Sequence, residues 1–288
     1  MKIGSAANSA RRKRIDLGFR FLCYGAAGLS VFCLGLLLFR IFSDGLGRVN
    51  WHFVTGDLSS RPKRTGMWPA IAGSVFVMLL TALLACPIGI AAAIYLEEFN
   101  PRKTRFTQFI QLNIANLAGV PSIVYGLLGL ALFVRACNLG DTVIAGALTM
   151  SLLILPMIII VTQEALRAVP SMLREASLGL GSTQWQAIRH QVLPSAMPGI
   201  FTGVILAVGR ALGETAPLIV VGAVSGIVGS PKRLSDQYTV LPVQIYNWSL
   251  DSRGDARPIA AAGIVVLMIV LLVLNSGAIY LRNRASSR

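Results

Sequence analysis

The chain has 288 residues, 55% of them apolar, and carries 26 Lys plus Arg against 12 Asp plus Glu, a formal net charge of +14. That apolar content lies above the ~45–50% usual for soluble domains and indicates a polytopic membrane protein. The basic residues stand mostly at the ends of apolar runs, where they set topology, so the charge does not mark a nucleic-acid partner.

A basic stretch from Lys2 through the run Arg11-Arg12-Lys13-Arg14 precedes the first apolar segment. Residues 1–16 are expected to form a cytoplasmic tail and residues 17–284 a single transmembrane domain. The first span, about 17–42, follows the basic run without a small-residue cleavage site and reads as an uncleaved anchor. Charge-free intervals then mark a second span at 68–96, a third at 108–134, a fourth at 143–166 and a sixth at 258–281. The fifth, 198–225, is interrupted only by Arg210 and Glu214. Each interval accommodates the ~20 residues that cross a hydrocarbon core. The expected fold class is therefore all-α, with six transmembrane helices and both termini on one side. With the N-terminus inside, 15 Lys and Arg fall in inner segments against 9 in outer loops, which predicts cytoplasmic termini.

Pro87, Pro121, Pro156 and Pro217 lie in four of these spans, where a missing amide and a ring clash bend a helix. The outer loops, 43–66 and 226–257, hold Trp51, Phe53, Tyr246 and Trp248 at positions expected for a membrane interface, and VQIYNW (243–248) reads as a surface helix. Glu97 and Glu98 end the second span and read as solvated. His52 and His190 are isolated in loops. The four cysteines, Cys23, Cys33, Cys86 and Cys137, form no CxxC pair and read as packing residues, so neither a metal nor a cofactor is expected.

The inner loop 168–197 is too long and too patterned for a connector. Pro170 opens a helix in which Met172, Leu173, Ala176 and Leu180 recur at helical spacing. Gly179 and Gly181 break it, and Thr183 with Gln186 forms a capping-box signature for a second short helix ending near Pro194. Two short amphipathic helices around a glycine turn look like a docking element, although Met172, Leu173, Leu178 and Leu180 would equally let the pair lie on lipid. No GxxxxGK(S/T) occurs, so the chain has no phosphate-cradling loop of that type.

Arg210 and Glu214 lie one turn apart on one face of the fifth span. Charges at such depth are expensive unless they face protein or water. Arginine presents a planar fork suited to an oxyanion, and glutamate accepts a hydrogen bond from a protonated ligand. Two readings stay open: a permeation path for a protonated oxyanion, or a static clip between the two side chains. Thr215 adds a hydroxyl beside them, and Ser122 and Tyr125 either line the same path or pack between helices.

Glu175-Ala176-Ser177, Gly181 and Leu193-Pro194 match the spacing of the coupling loop of ABC importer permeases, with Ser177 in place of a second alanine and Gln191 in place of the usual isoleucine. The segment from Arg210 through Gly213-Glu214-Thr215-Ala216-Pro217, together with Trp68 to Gly73, Ala93 to Leu96 and Pro121 to Gly126, resembles the PstA family of phosphate-importer permease subunits. The resemblance covers about residues 65–225 well and the last span more loosely. It implies a type I importer permease in the inner (cytoplasmic) membrane that performs no covalent chemistry. The implied partners are a homologous PstC-like permease, two PstB-like ATPase subunits, an extracytoplasmic PstS-like binding protein and inorganic phosphate. It further implies that Glu175, Ala176, Ser177, Gly181, Leu193 and Pro194 engage the ATPase. Importers of sulfate or molybdate share this machinery, and an ion-coupled carrier is the more distant alternative.

Overall fold

The structure is a computed structural model that describes residues 6–59, 61, 64–100, 104–223, 229–251 and 256–286, and among the described residues it is all-helical. Lys2, Lys63, Arg102, Lys103, Arg253 and Arg288, which enter the charge tally, lie outside the described residues. The helices are α1 (Ala6–Gly45), α2 (Trp51–Thr55), α3 (Trp68–Ile94), α4 (Arg105–Ala118), α5 (Ser122–Gly129) and α6 (Val143–Arg167). They continue with α7 (Ser171–Gly179), α8 (Gln184–Ala187), α9 (Leu193–Leu212), α10 (Ala216–Val220), α11 (Leu241–Leu250) and α12 (Ala256–Ser286). π-helical turns extend α3 over Tyr95–Phe99 and α5 over Leu130–Ala136, and join α8 to α9 over Ile188–Val192.

Among the described residues, five helical stretches are long and apolar enough to cross a membrane: Ile15–Arg48, Trp68–Phe99, Val143–Arg167, Gln184–Leu212 and Ala256–Gly277. The sixth is a pair, Arg105–Ala118 with Ser122–Ala136, bent by 99° at the break. The interval 108–134, expected as one helix, is thus divided. Pro121 has no amide hydrogen and biases Val120 away from helical backbone, so α4 cannot run on. The Tyr125 hydroxyl donates to the Leu117 carbonyl at 2.9 Å, supplying a partner for backbone at the end of α4. The segment 198–225 is likewise interrupted: α9 stops at Leu212 and Pro217 lies in the first turn of α10. Pro87 and Pro156 by contrast lie inside α3 and α6 without ending them.

The helix expected to stop near Pro194 does not stop. It runs from Gln184 to Leu212, passing Pro194 just after the π-helical turn. There Leu193 N–H reaches back five residues to the Ile188 carbonyl, so the wider turn sits where the proline would strain a regular one.

Helix α6 is the core. Met150, Ile154 and Ile158 are buried against Val77 and Ala85 of α3 and Ala207 and Ala211 of α9. Small residues permit this closeness: a Cβ on Gly89 would meet Ile158 at 2.7 Å, and one on Gly203 would meet Val161 at 2.6 Å. Helix α1 is the opposite case, with none of its apolar window buried. The stretch 243–248 is not a surface helix either. It belongs to α11, whose Leu241 and Ile245 join Met67, Ile259, Ala262 and Val266 in a second buried cluster. Phe53, expected at an interface, is itself buried in this cluster with Trp248 packed against it, whereas Trp51 and Tyr246 stand exposed, because apolar rings find more contact in the core than at its rim.

Outside the spans, the segment before α11 folds back over α6. Val143 N–H donates to the Asp236 carbonyl and Ile144 N–H to that of Leu234, capping two amides that a helix start leaves open. The Asp236 carboxylate in turn accepts from the amides of Lys232 and Arg233, each at 2.8 Å, and these bonds hold its pKa below the usual carboxylate value. Tyr238 is fully buried beside this loop, and burial pushes its phenol up, with the Asp141 charge adding to the shift.

Candidate functional site

Arg210 lies in the last turn of α9, and Glu214 lies in the corner between α9 and α10. The Arg210 Nε to Glu214 Oε1 distance is 3.8 Å, and the Arg210 side chain remains 64% exposed against 21% for Glu214. This is a loose pair. Its length lies beyond the ~2.7–2.9 Å of a charge-assisted hydrogen bond, so donors of Arg210 remain for a ligand.

The two broken helices face one another. Gly126 of α5 lies against Pro217 of α10, where a Cβ would meet the proline Cα at 2.7 Å. Between the breaks lies a cavity of about 330 Å³. Its polar lining is Ser122, Tyr125, Arg210 and Glu214, and Leu153, Ile154 and Met157 of α6 form an apolar wall. Four residues named from sequence therefore meet at one cavity. Thr215 does not line it: the residue precedes α10, and its carbonyl accepts the Ile219 amide. The Tyr125 hydroxyl spends its hydrogen on Leu117, leaving only acceptor capacity toward the cavity. Ser122 opens α5, so the cavity also meets a helix start, where unpaired amides favour negative charge.

The second group of residues lies on α7, the turn after it, and the start of α9. Gly181 has φ of +86° and no neighbour within 4 Å of a Cβ, so backbone conformation alone selects glycine there. Ser182 N–H reaches the Ser177 carbonyl at 3.2 Å and Gly181 N–H that of Leu178 at 2.9 Å, a Schellman-like ending to α7. Thr183 and Gln186 make both bonds of a capping box at α8. Glu175, Ala176, Gly181 and Pro194 face outward, and Ser177 is half-buried. Leu193 packs against the buried cluster of Leu166, Val169, Val192 and Ala196. Around the outward residues stand Met172, 75% exposed, and Leu180, 89% exposed.

Glu97 and Glu98 correct the reading of a solvated helix end. Glu97 takes a two-pronged pair from Arg167, at 2.8 and 2.7 Å. Glu98 takes another from Arg174, with contacts of 2.7 and 3.0 Å. The acid-acid dipeptide opposite an arginine-bearing loop was the available signal, but sequence gives no distance between segments 70 residues apart. Among the described residues, no group of three or more His, Cys, Asp and Glu is placed to hold a metal.

The family described as "Binding-protein-dependent transport system inner membrane component" matches residues 85–286. Among individual relatives, the chain is 33% identical over 278 residues to the "Probable ABC transporter permease protein YqgI" of Bacillus subtilis (strain 168), covering 90% of this chain and 94% of that one. It is 32% identical over 254 residues to the "Phosphate transport system permease protein PstA" of Haemophilus influenzae, covering 88% and 89%. In structure it is similar to a chain of a bacterial alginate ABC transporter solved with its periplasmic protein. That likeness has a TM-score of 0.67 at 16% identity, over 95% of this chain and 96% of the other, and it speaks to the fold.

Proposed function

The chain belongs to the binding-protein-dependent transport system inner membrane component family, and from that premise we propose that it is the permease subunit of an ATP-driven phosphate importer. The observation that carries this is the cavity between two facing helix breaks, where a largely exposed Arg210 stands beside Glu214. Phosphate near neutral pH retains a proton. Arg210 meets its charge, and Glu214 accepts its hydroxyl while repelling an anion with no proton to offer. The helix start at Ser122 adds donors, and Tyr125 presents an acceptor. The relative named as a phosphate permease supports the same substrate.

An exposed arginine in a half-open cavity fits a path completed by a second, homologous permease. Residues 17–284 form one transmembrane domain with cytoplasmic termini, and 168–197 is its cytoplasmic coupling loop. Glu175, Ala176, Gly181 and Pro194, with exposed Met172 and Leu180, engage ATPase subunits, while Ser177 and Leu193 hold the loop's shape. ATP hydrolysis by two such partners moves the helices as near-rigid units. An extracytoplasmic binding protein delivers phosphate to the outer loops, and this chain performs no covalent chemistry.

Labelled phosphate uptake in cells lacking their own such permease, with matched partner subunits co-expressed, tests the reading. ATP-dependent uptake should survive excess sulfate and molybdate and vanish in an assembled Arg210→Gln complex. Uptake unchanged by that substitution would make the Arg210–Glu214 pair a static clip. No phosphate uptake by the assembled unsubstituted complex would refute the substrate.

A further inference from the structure

Helix α7 is joined to its neighbours by two short connections. Toward α6 the chain passes through Ala168, Val169 and Pro170, and toward α8 through the left-handed Gly181 turn. Such links alone transmit force poorly. What spans them is a network of charged side chains around a cavity of about 480 Å³. Arg174 of α7 grips Glu98 with two nitrogens and also donates to the carbonyls of Val169 at 2.8 Å and Leu166 at 2.7 Å. Arg167, at the end of α6, holds Glu97. Gln184 of α8 donates to the Glu98 carbonyl at 2.5 Å, and the rings of Phe99 and Trp185 lie 6.4 Å apart.

The geometry explains how one turn serves several elements. Consecutive residues on a helical turn point in different directions, and in the π-helical turn Tyr95–Phe99 Glu97 meets Arg167 of α6 while Glu98 meets Arg174 of α7. The Glu98 side chain is only 8% exposed and that of Arg174 23%. An ion pair this dry recovers little net stability over well-packed apolar residues. What it supplies is a fixed geometry, since each arginine fork locks the orientation of its carboxylate.

We infer that Glu97, Glu98, Arg167 and Arg174 form a transmission clamp that makes α7 and the cytoplasmic ends of α3 and α6 move as one body. The inference rests on the proposed docking of α7 and α8 to an ATPase. A displacement imposed on α7 then reaches α6, whose Leu153, Ile154 and Met157 wall the Arg210 cavity. These are positioning residues, because none of the four lines that cavity.

The test measures phosphate taken up per ATP hydrolysed by the full complex in vesicles. Glu98→Gln and Arg174→Gln should each lower that ratio at least ~5-fold, the low end of inter-site coupling, with ATP turnover retained. The double substitution should be no worse than Arg174→Gln alone, because that variant already removes the link to Glu98 together with the bonds to Val169 and Leu166. In a background without the four native cysteines, joining Glu98→Cys to Arg174→Cys with a short bifunctional thiol reagent should restore the ratio. Arg167→Gln, at the more exposed pair, supplies the same reading if the Arg174 variant does not assemble. An unchanged ratio in the single variants, losses that multiply in the double, or no recovery on bridging would overturn the clamp. Absence of phosphate uptake by the unsubstituted complex would overturn the importer reading, and the clamp with it, before any variant is compared.

Discussion

At the scale of single residues, the physics divides between those selected by backbone and those selected by chemistry. Gly181 belongs to the first kind: its φ is +86° and the space around it is open. Gly181→Ala should therefore cost about 1–2 kcal/mol of left-handed strain without any clash, seen as faster amide exchange across 178–184. On the proposed transport role, Arg210 belongs to the second kind. Arg210→Lys keeps the charge but loses the planar fork, so phosphate uptake should fall well below the unsubstituted level while exceeding that of Arg210→Gln. Tyr125 does both jobs at once, lining the cavity and donating to Leu117. Tyr125→Phe removes that donor and should lower stability by about 0.5–1.5 kcal/mol, measured as a drop in melting temperature in detergent.

At the scale of elements, helix ends decide more than helix middles. The breaks after α4 and α9 place backbone ends and a charged pair at one cavity, which an unbroken helix would have kept lined with hydrogen-bonded backbone. The start of α6 is capped by the loop that Asp236 organises. Because the folded carboxyl is held below its usual value of 3.8, its contribution is present above that value. It is lost as pH falls through the depressed folded one. Protection of the Val143 and Ile144 amides should thus hold at neutral pH and fade only in strong acid, whereas Asp236→Ala should lower it at neutral pH already. Hydrogen exchange across a pH series reads both.

At the scale of the whole molecule, burial is uneven: α6 sits in the centre, while the apolar window of α1 stands entirely outside the core. In the isolated subunit reconstituted in lipid, a spin label at Cys33 of α1 should meet oxygen as freely as lipid-facing positions do. One at Ala147, fully buried in α6, should not. Sequence alone determined what local chemistry dictates. Runs of few charges mark the spans, Thr183 and Gln186 announce a capping box, Gly179 and Gly181 announce a helix break, and Arg210 and Glu214 stand four residues apart, although Glu214 falls beyond the end of α9 and the two do not share a helix face. Only the tertiary structure decided that two proline-linked breaks oppose each other, that α11 is buried, and that Glu97 and Glu98 are paired with Arg167 and Arg174. Those features join segments far apart in the chain, and their energy comes from desolvation and contact geometry. Neither is a property of the residues taken one at a time.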